Sequence, residues 1–189
     1  MILYRILFFL LITTFSFAGN LKSLTNIKTM DIKIEEFTNI NNKNKKVVYD
    51  LKFIKPNMAR KEILSPVLNK GEIYIYTGNK KTVYLPMFEQ TLKEEVSSDE
   101  NNILESLNYI LDIEKNNKDF VRKYYSKKLK EIELKNGTKI EIKDLRKVED
   151  YLLPYQFIIY QGDTKVAILN IKSYKINSKI SEKEFVLND

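Results

Sequence analysis

Side chains suited to acid–base or covalent chemistry are the first thing to look for in this 189-residue chain, and two of the usual kinds are missing. It has no histidine and no cysteine. That removes the commonest general base near neutral pH, the commonest zinc ligand, thiolate nucleophiles and disulfides. Serine–histidine–aspartate catalysis is ruled out with them. A serine–lysine dyad needs neither residue, but no motif singles out a serine for the role. Glu35-Glu36, Glu94-Glu95 and Asp99-Glu100 are carboxylate pairs of the kind glycoside chemistry uses. Adjacent residues on a strand point to opposite faces, however, so neither partner of such a pair can flank the bond the other acts on. No calcium-loop spacing occurs. Asn136-Gly137-Thr138 has the form of a glycosylation acceptor, and a hairpin turn accounts for it equally well. The reactive residues therefore point away from an enzyme, a metal centre or a cofactor, and towards binding.

Elements able to build a binding surface are plentiful. Met30, Ile32 and Ile34 alternate with Asp31, Lys33 and Glu35, and Val47, Tyr49, Leu51 and Phe53 alternate with polar or smaller neighbours. Period-two alternation predicts half-buried strands with one apolar face. Glu72 to Tyr76 and Thr82 to Leu85 flank a hairpin loop, Thr77-Gly78-Asn79-Lys80-Lys81. In the first of these, Tyr74 and Tyr76 share one face and Ile73 and Ile75 the other, so the phase stays open.

Register arguments sharpen two later hairpins. Around Asn136-Gly137, a three-residue loop from Lys135 with Gly137 left-handed pairs Ile132 with Ile140 and keeps one apolar row. A two-residue Gly162-Asp163 turn sets Ile159 opposite Val166 and Phe157 opposite Ile168. From Asp99 to Asn116 the pattern changes. Ile103, Leu104, Leu107, Ile110, Leu111 and Ile113 recur at helical offsets, Ser97 and Glu100 form a capping-box signature, and Asn116-Asn117 is the expected stop. A shorter helix is expected across Asn20 to Lys28, using Leu21, Leu24 and Ile27.

Compartment follows from the first residues. A positive start at Met1 to Arg5, an apolar run from Ile6 to Phe17 and small residues at Ser16 and Ala18 predict a secretory signal peptide, 1–18, cleaved near Ala18. A membrane anchor needs ~20 apolar residues, more than this run supplies. The rest, 19–189, reads as one exported domain. The formal charge of the full chain, +7, reflects lysine spread throughout rather than a patch. Export also argues against a nucleic-acid partner for the basic-aromatic stretch Arg122 to Lys128.

The order of these motifs resembles the outer-membrane lipoprotein carrier family, the LolA-type periplasmic carriers. The resemblance runs from the Leu21/Leu24/Ile27 segment through Leu51-Lys52-Phe53-Ile54-Lys55-Pro56, Arg60, Ser65-Pro66 and Gly71 with Ile73-Tyr74-Ile75-Tyr76. It continues with the helix at Asn102 to Leu111, Leu153-Pro154, the Gly162-Asp163 hairpin, Asn177 and Phe185. It implies an α+β fold, mainly β: a curved antiparallel sheet forming an incomplete barrel, closed by a lid helix around an apolar cavity. The implied activity is to carry the acyl chains of lipoproteins from an inner-membrane releasing transporter to an outer-membrane receptor, as a monomer, without a cofactor. Three positions depart from the family. Lys55 stands where the best-known carriers have the arginine that holds the lid, and Ala59 and Lys61 replace bulky apolar residues beside Arg60.

The expected cavity lining comprises Val47, Tyr49, Leu51, Phe53, Ile73 and Ile75 from the early strands. The helix adds Ile103, Leu104, Leu107, Ile110 and Leu111, and the late strands Phe157, Ile159, Val166 and Ile168. Lys55 and Arg60 are the expected lid controls. The residues alone fit a packed core as well as a cavity, and Arg60 fits a surface cation as well as a lid donor. An envelope lipid or lipoprotein sensor, a general amphiphile-binding protein of the same fold, or a purely structural envelope protein are the alternatives in function.

Overall fold

Apolar–polar alternation is long enough in the first two strands, β1 (Thr29–Ile40) and β2 (Lys43–Ile54), to set the register of the whole sheet. Met30 pairs with Phe53, Ile32 with Leu51 and Ile34 with Tyr49, so one face carries six large residues that are all buried. The computed structural model describes residues 21–187 apart from 41–42, 97–101, 116–117 and 135. The expected signal peptide, the Ser97/Glu100 cap, the Asn116-Asn117 stop and Lys135 lie outside the described residues.

From this hairpin the chain builds outward on both sides. On one side stand β3 (Met58–Ser65), β4 (Ile73–Thr77), β5 (Lys80–Leu85) and β6 (Gln90–Glu95). On the other stand β10 (Thr164–Ile176), β9 (Tyr151–Gln161), β8 (Lys139–Val148) and β7 (Glu131–Glu133). The order is β6-β5-β4-β3-β2-β1-β10-β9-β8-β7, antiparallel throughout. The sheet curves, but its end strands β6 and β7 do not pair with each other, so the barrel is incomplete.

Between β6 and β7 lie two helices, α1 (Asn102–Leu111) and α2 (Lys118–Tyr125), joined by a 3-10 turn, Ile113–Lys115. Leu104, Leu107, Ile110 and Leu111 of α1 are buried, as the helical spacing predicts. The second helix was not expected. Its sequence, KDFVRKYY, offers only a short apolar stripe, and it is held by Tyr124, which is fully buried and donates its hydroxyl to the Leu152 carbonyl at 2.7 Å. The expected helix over Asn20 to Lys28 is one 3-10 turn, Leu24–Asn26, with Leu24 and Ile27 fully buried.

The hairpin arguments meet mixed outcomes. Ile132 pairs with Ile140, Leu134 closes the loop on Thr138, and Gly137 is left-handed at φ 80°, all as expected. Gly162-Asp163 is the expected two-residue turn, between Gln161 and Thr164. A β-bulge then follows at once, between Lys165 and Ala167. It shifts the partners by one, so that Ile159 faces Ala167 and Phe157 faces Leu169.

Candidate functional site

The face of the sheet that α1 covers is the candidate site. Its central rows are Met30, Ile32 and Ile34 with Tyr49, Leu51 and Phe53. On the β10 side they extend through Leu169 and Ile171 to Phe157, Ile159, Ile140 and Ile142. Ser106 and Leu107 of α1 lie over this second group, and the gap they enclose with Ile140, Phe157, Ile159 and Leu169 has no room for a water molecule. At this point the helix packs directly on the sheet.

Of the residues expected to line it, Tyr49, Leu51, Phe53, Leu104, Leu107, Ile110, Leu111, Phe157 and Ile159 are brought together in this core, and Val47 packs half-buried at its edge. The side chain of Ile103 lies outside the described residues. Three others are corrected. Ile73 and Ile75 pair with Glu62 and Arg60 on the opposite face, while Tyr74 and Tyr76 take the inner one. Ile75 is nonetheless buried, because the C-terminal 3-10 turn, Glu182–Phe185, packs on β3 and β4 and buries Phe185 there. Ile168 pairs with Ile158 and Phe37 on the outer face, whereas Val166, the bulged residue, packs half-buried against the core as Val47 does.

The two expected lid controls separate. Lys55 lies in the turn after β2, and its ammonium is bonded to Asp112, just past the end of α1. Beside it the Asn108 side chain donates to the Pro56 carbonyl at 2.6 Å. One turn further, Glu114 accepts from the Ser23 and Tyr125 hydroxyls and from the Leu24 backbone N–H. Burial raises the pKa of both carboxyls, but the bonds to Asp112 from Lys115 and Lys55, and those to Glu114, outweigh it and hold each below its ordinary value. The C-terminal end of α1 is thus pinned by polar contacts at the rim, while its apolar face rests on the sheet. Arg60 belongs to neither set. It projects from the outer face beside Ile75 and pairs with Glu62 at 2.6 Å, because Ala59 and Lys61, not Arg60, are in inner register with Phe53 and Leu51.

Lys61 is the residue that sequence reasoning placed but did not assign. Its ammonium sits 4.0 Å from the centroid of the Tyr49 ring and 6.0 Å from that of Tyr74, with Glu36 3.5 Å away. Burial, with Glu36 alongside, pushes the Tyr49 hydroxyl well above its ordinary pKa. A groove of about 500 Å³ opens here between Val47, Ile63, Tyr74 and the β3–β4 loop. A second, about 550 Å³, continues past Leu68 to Met87 and Phe88. Two 3-10 turns form its walls, Val67–Asn69 and Pro86–Phe88, and between them they expose Val67, Leu68, Met87 and Phe88 by 62–89%. Gly71, left-handed at φ 87°, lets the two turns approach; a Cβ there would stand 3.4 Å from the Pro86 ring.

An open antiparallel half-barrel with a pinned helix over its apolar face defines a class of fold, and solved structures give it a name. A LolA superfamily protein from Nitrosomonas europaea superposes with a TM-score of 0.61 at 11% identity, over 86% of this chain and 91% of its own. A putative outer membrane lipoprotein-sorting protein domain from Vibrio parahaemolyticus gives 0.55 at 9% identity, over 84% and 89%. A DUF1329 family protein from Desulfovibrio piger gives 0.59 at 11%, over 86% and 91%. No family model and no curated protein matches the chain in sequence. The fold of this protein is LolA-like, as the order of sequence motifs implied.

Proposed function

We propose that the protein is a periplasmic carrier that shields the acyl chains of lipoproteins beneath α1 and moves them between membranes. The observation that carries this reading is the construction of the helix. It closes an apolar sheet face, yet it is fastened at its C-terminal end by a few polar bonds that can be broken and remade. Shielding is the physical need: about 0.8 kcal/mol per exposed methylene makes a single long chain cost on the order of 10 kcal/mol in water. Such a carrier must hold its ligand without gripping it, and a covering helix fastened by few polar bonds suits that task. The exposed apolar turns at Val67, Leu68, Met87 and Phe88 suit contact with a releasing transporter, an outer-membrane receptor or the membrane itself. The signal-peptide-like start at residues 1–18 supports the same compartment. No catalytic role is assigned, and the chain's lack of histidine and cysteine agrees with that.

Mass spectrometry of whatever co-purifies with the protein from the periplasm of a lipoprotein-making cell tests the reading. Di- or triacylated lipoprotein is expected, and it should be absent from Leu107→Glu. An empty protein that also fails to take up an apolar fluorescent probe would overturn it, leaving α1 as an ordinary core helix.

A further inference from the structure

The face beneath and beside α1 is not uniformly apolar. On the β10 side it presents Ile140, Ile142, Phe157, Ile159 and Leu169. On the β3–β5 side the same face presents Lys61, Tyr74, Tyr76 and Lys81. Lys81 is buried and spans 3.0 Å to Glu94. Lys61 is held less completely, since 3.5 Å to Glu36 is longer than the 2.7–2.9 Å of a strong charge-assisted bond, and an ammonium has three donors to place. Stacked over Tyr49, it is a half-buried cation with capacity left over, at the inner wall of a 500 Å³ groove. Three lysines, Lys45, Lys46 and Lys61, line that groove against one carboxylate, Glu72. Lys46 also reaches Glu35 at 2.7 Å, and Glu72 already accepts from Asn69 and the Tyr74 hydroxyl. Apolar side chains, Val47, Ile63 and Leu68, complete the wall.

We propose that this groove seats the phosphate diester of an anionic phospholipid, with Lys61 and Lys45 on the headgroup and the acyl chains running beneath α1. The protein would then accept a second ligand class besides lipoproteins. The inference rests on the proposed acyl-accepting interior and adds to it a headgroup that this interior alone does not specify. A lipid has both halves that the face offers, whereas a free anion would use only the lysines.

The test is displacement of an apolar fluorescent probe from the full mature chain. The competitors are lysophosphatidylglycerol, lysophosphatidylcholine and monoacylglycerol of one chain length, below their critical micelle concentrations, and inorganic phosphate. The anionic lipid should compete about tenfold better than the other two, on the order of the gap between a charge-assisted and a neutral hydrogen bond. Phosphate should not compete. Lys61→Met should erase the preference while retaining displacement by all three lipids, Lys61→Arg should keep it, and Lys45→Gln, at an exposed site, should reduce it. Equal competition by the three lipids, an unchanged preference in Lys61→Met, or competition by phosphate would each overturn the headgroup seat and leave the carrier reading standing. Failure of every lipid to displace the probe would overturn both.

Discussion

At the scale of single residues, the pins at the C-terminal end of α1 are the most exposed to experiment. Lys55→Met removes a bond between a mostly buried ammonium and the half-exposed Asp112. The expected cost is about 1–2 kcal/mol, less than a fully buried charged bond would give, because Asp112 keeps Lys115 and some water. Urea denaturation measures it, and amide exchange in α1 should speed up while the β1–β2 pairing stays protected. The same pins predict a pH dependence. Asp112 and Glu114 titrate below their ordinary values of 3.8 and 4.5 in the folded chain. A depressed carboxyl pKa contributes stability that is fully present above the unfolded value and is lost as pH falls through the folded one. The fastening should therefore hold at pH 6–8, weaken from about pH 4.5 downward, and leave the sheet intact longer than the helix. Loss of α1 protection and of sheet circular dichroism at the same pH would contradict this. Lys55 was legible from its place before Pro56. Arg60 was not, because a one-residue shift of strand register moves a side chain to the other face.

At the scale of elements, the contrast is between the sheet and the helix that covers it, which the proposed carrier role requires to move. Leu51 is 1% exposed at the centre of the β1–β2 rows, and Leu107 is 5% exposed on α1. Both are core by burial, yet a charge at each should act differently. Leu51→Glu should unfold the domain, since an unpaired carboxylate cannot be accommodated between paired strands. Leu107→Glu should leave the sheet's circular dichroism unchanged and abolish probe uptake, because the helix alone is displaced. Unfolding in both would mean that α1 is part of the cooperative core. The second helix offers a smaller test. Tyr124→Phe removes the donor to the Leu152 carbonyl and should cost about 1–3 kcal/mol by leaving a buried acceptor unpaired. The first helix was readable from six apolar residues at helical spacing, whereas α2 has too few. Its position depends on one tyrosine finding a carbonyl 28 residues further along the chain.

At the scale of the whole molecule, the half-barrel has a helix packed on its apolar face, two linked grooves at one end and, among the described residues, no pairing between its edge strands. A ligand that enters only after the helix lifts must stabilise the open form by more than the closed packing it disrupts. A bound amphiphile at a hundredfold excess over its Kd should add about 2.7 kcal/mol to unfolding stability, visible as a raised Tm. Amide exchange of α1 should quicken at the same time. A ligand that raised Tm and slowed α1 exchange would be binding outside the interior.

Composition and periodicity determined a good deal unaided. The absence of histidine and cysteine excluded whole classes of chemistry, and period-two rows, one amphipathic helix, two turns and the register of one of them defined a curved antiparallel sheet with a cover. These are local properties, carried by residues a few positions apart. Contacts between distant segments decided the rest. Tyr74 and Tyr76 face inward because Phe185, more than a hundred residues later, covers Ile75 from outside. Ile168 faces outward because one extra residue bulges in β10. Strands such as Ile73–Thr77 and β10 have apolar residues on both faces, so burial rewards either phase equally. Only the elements packed on each side select one, which is why the placement of Lys61 beside Tyr49, and the groove built around it, had to come from the tertiary structure.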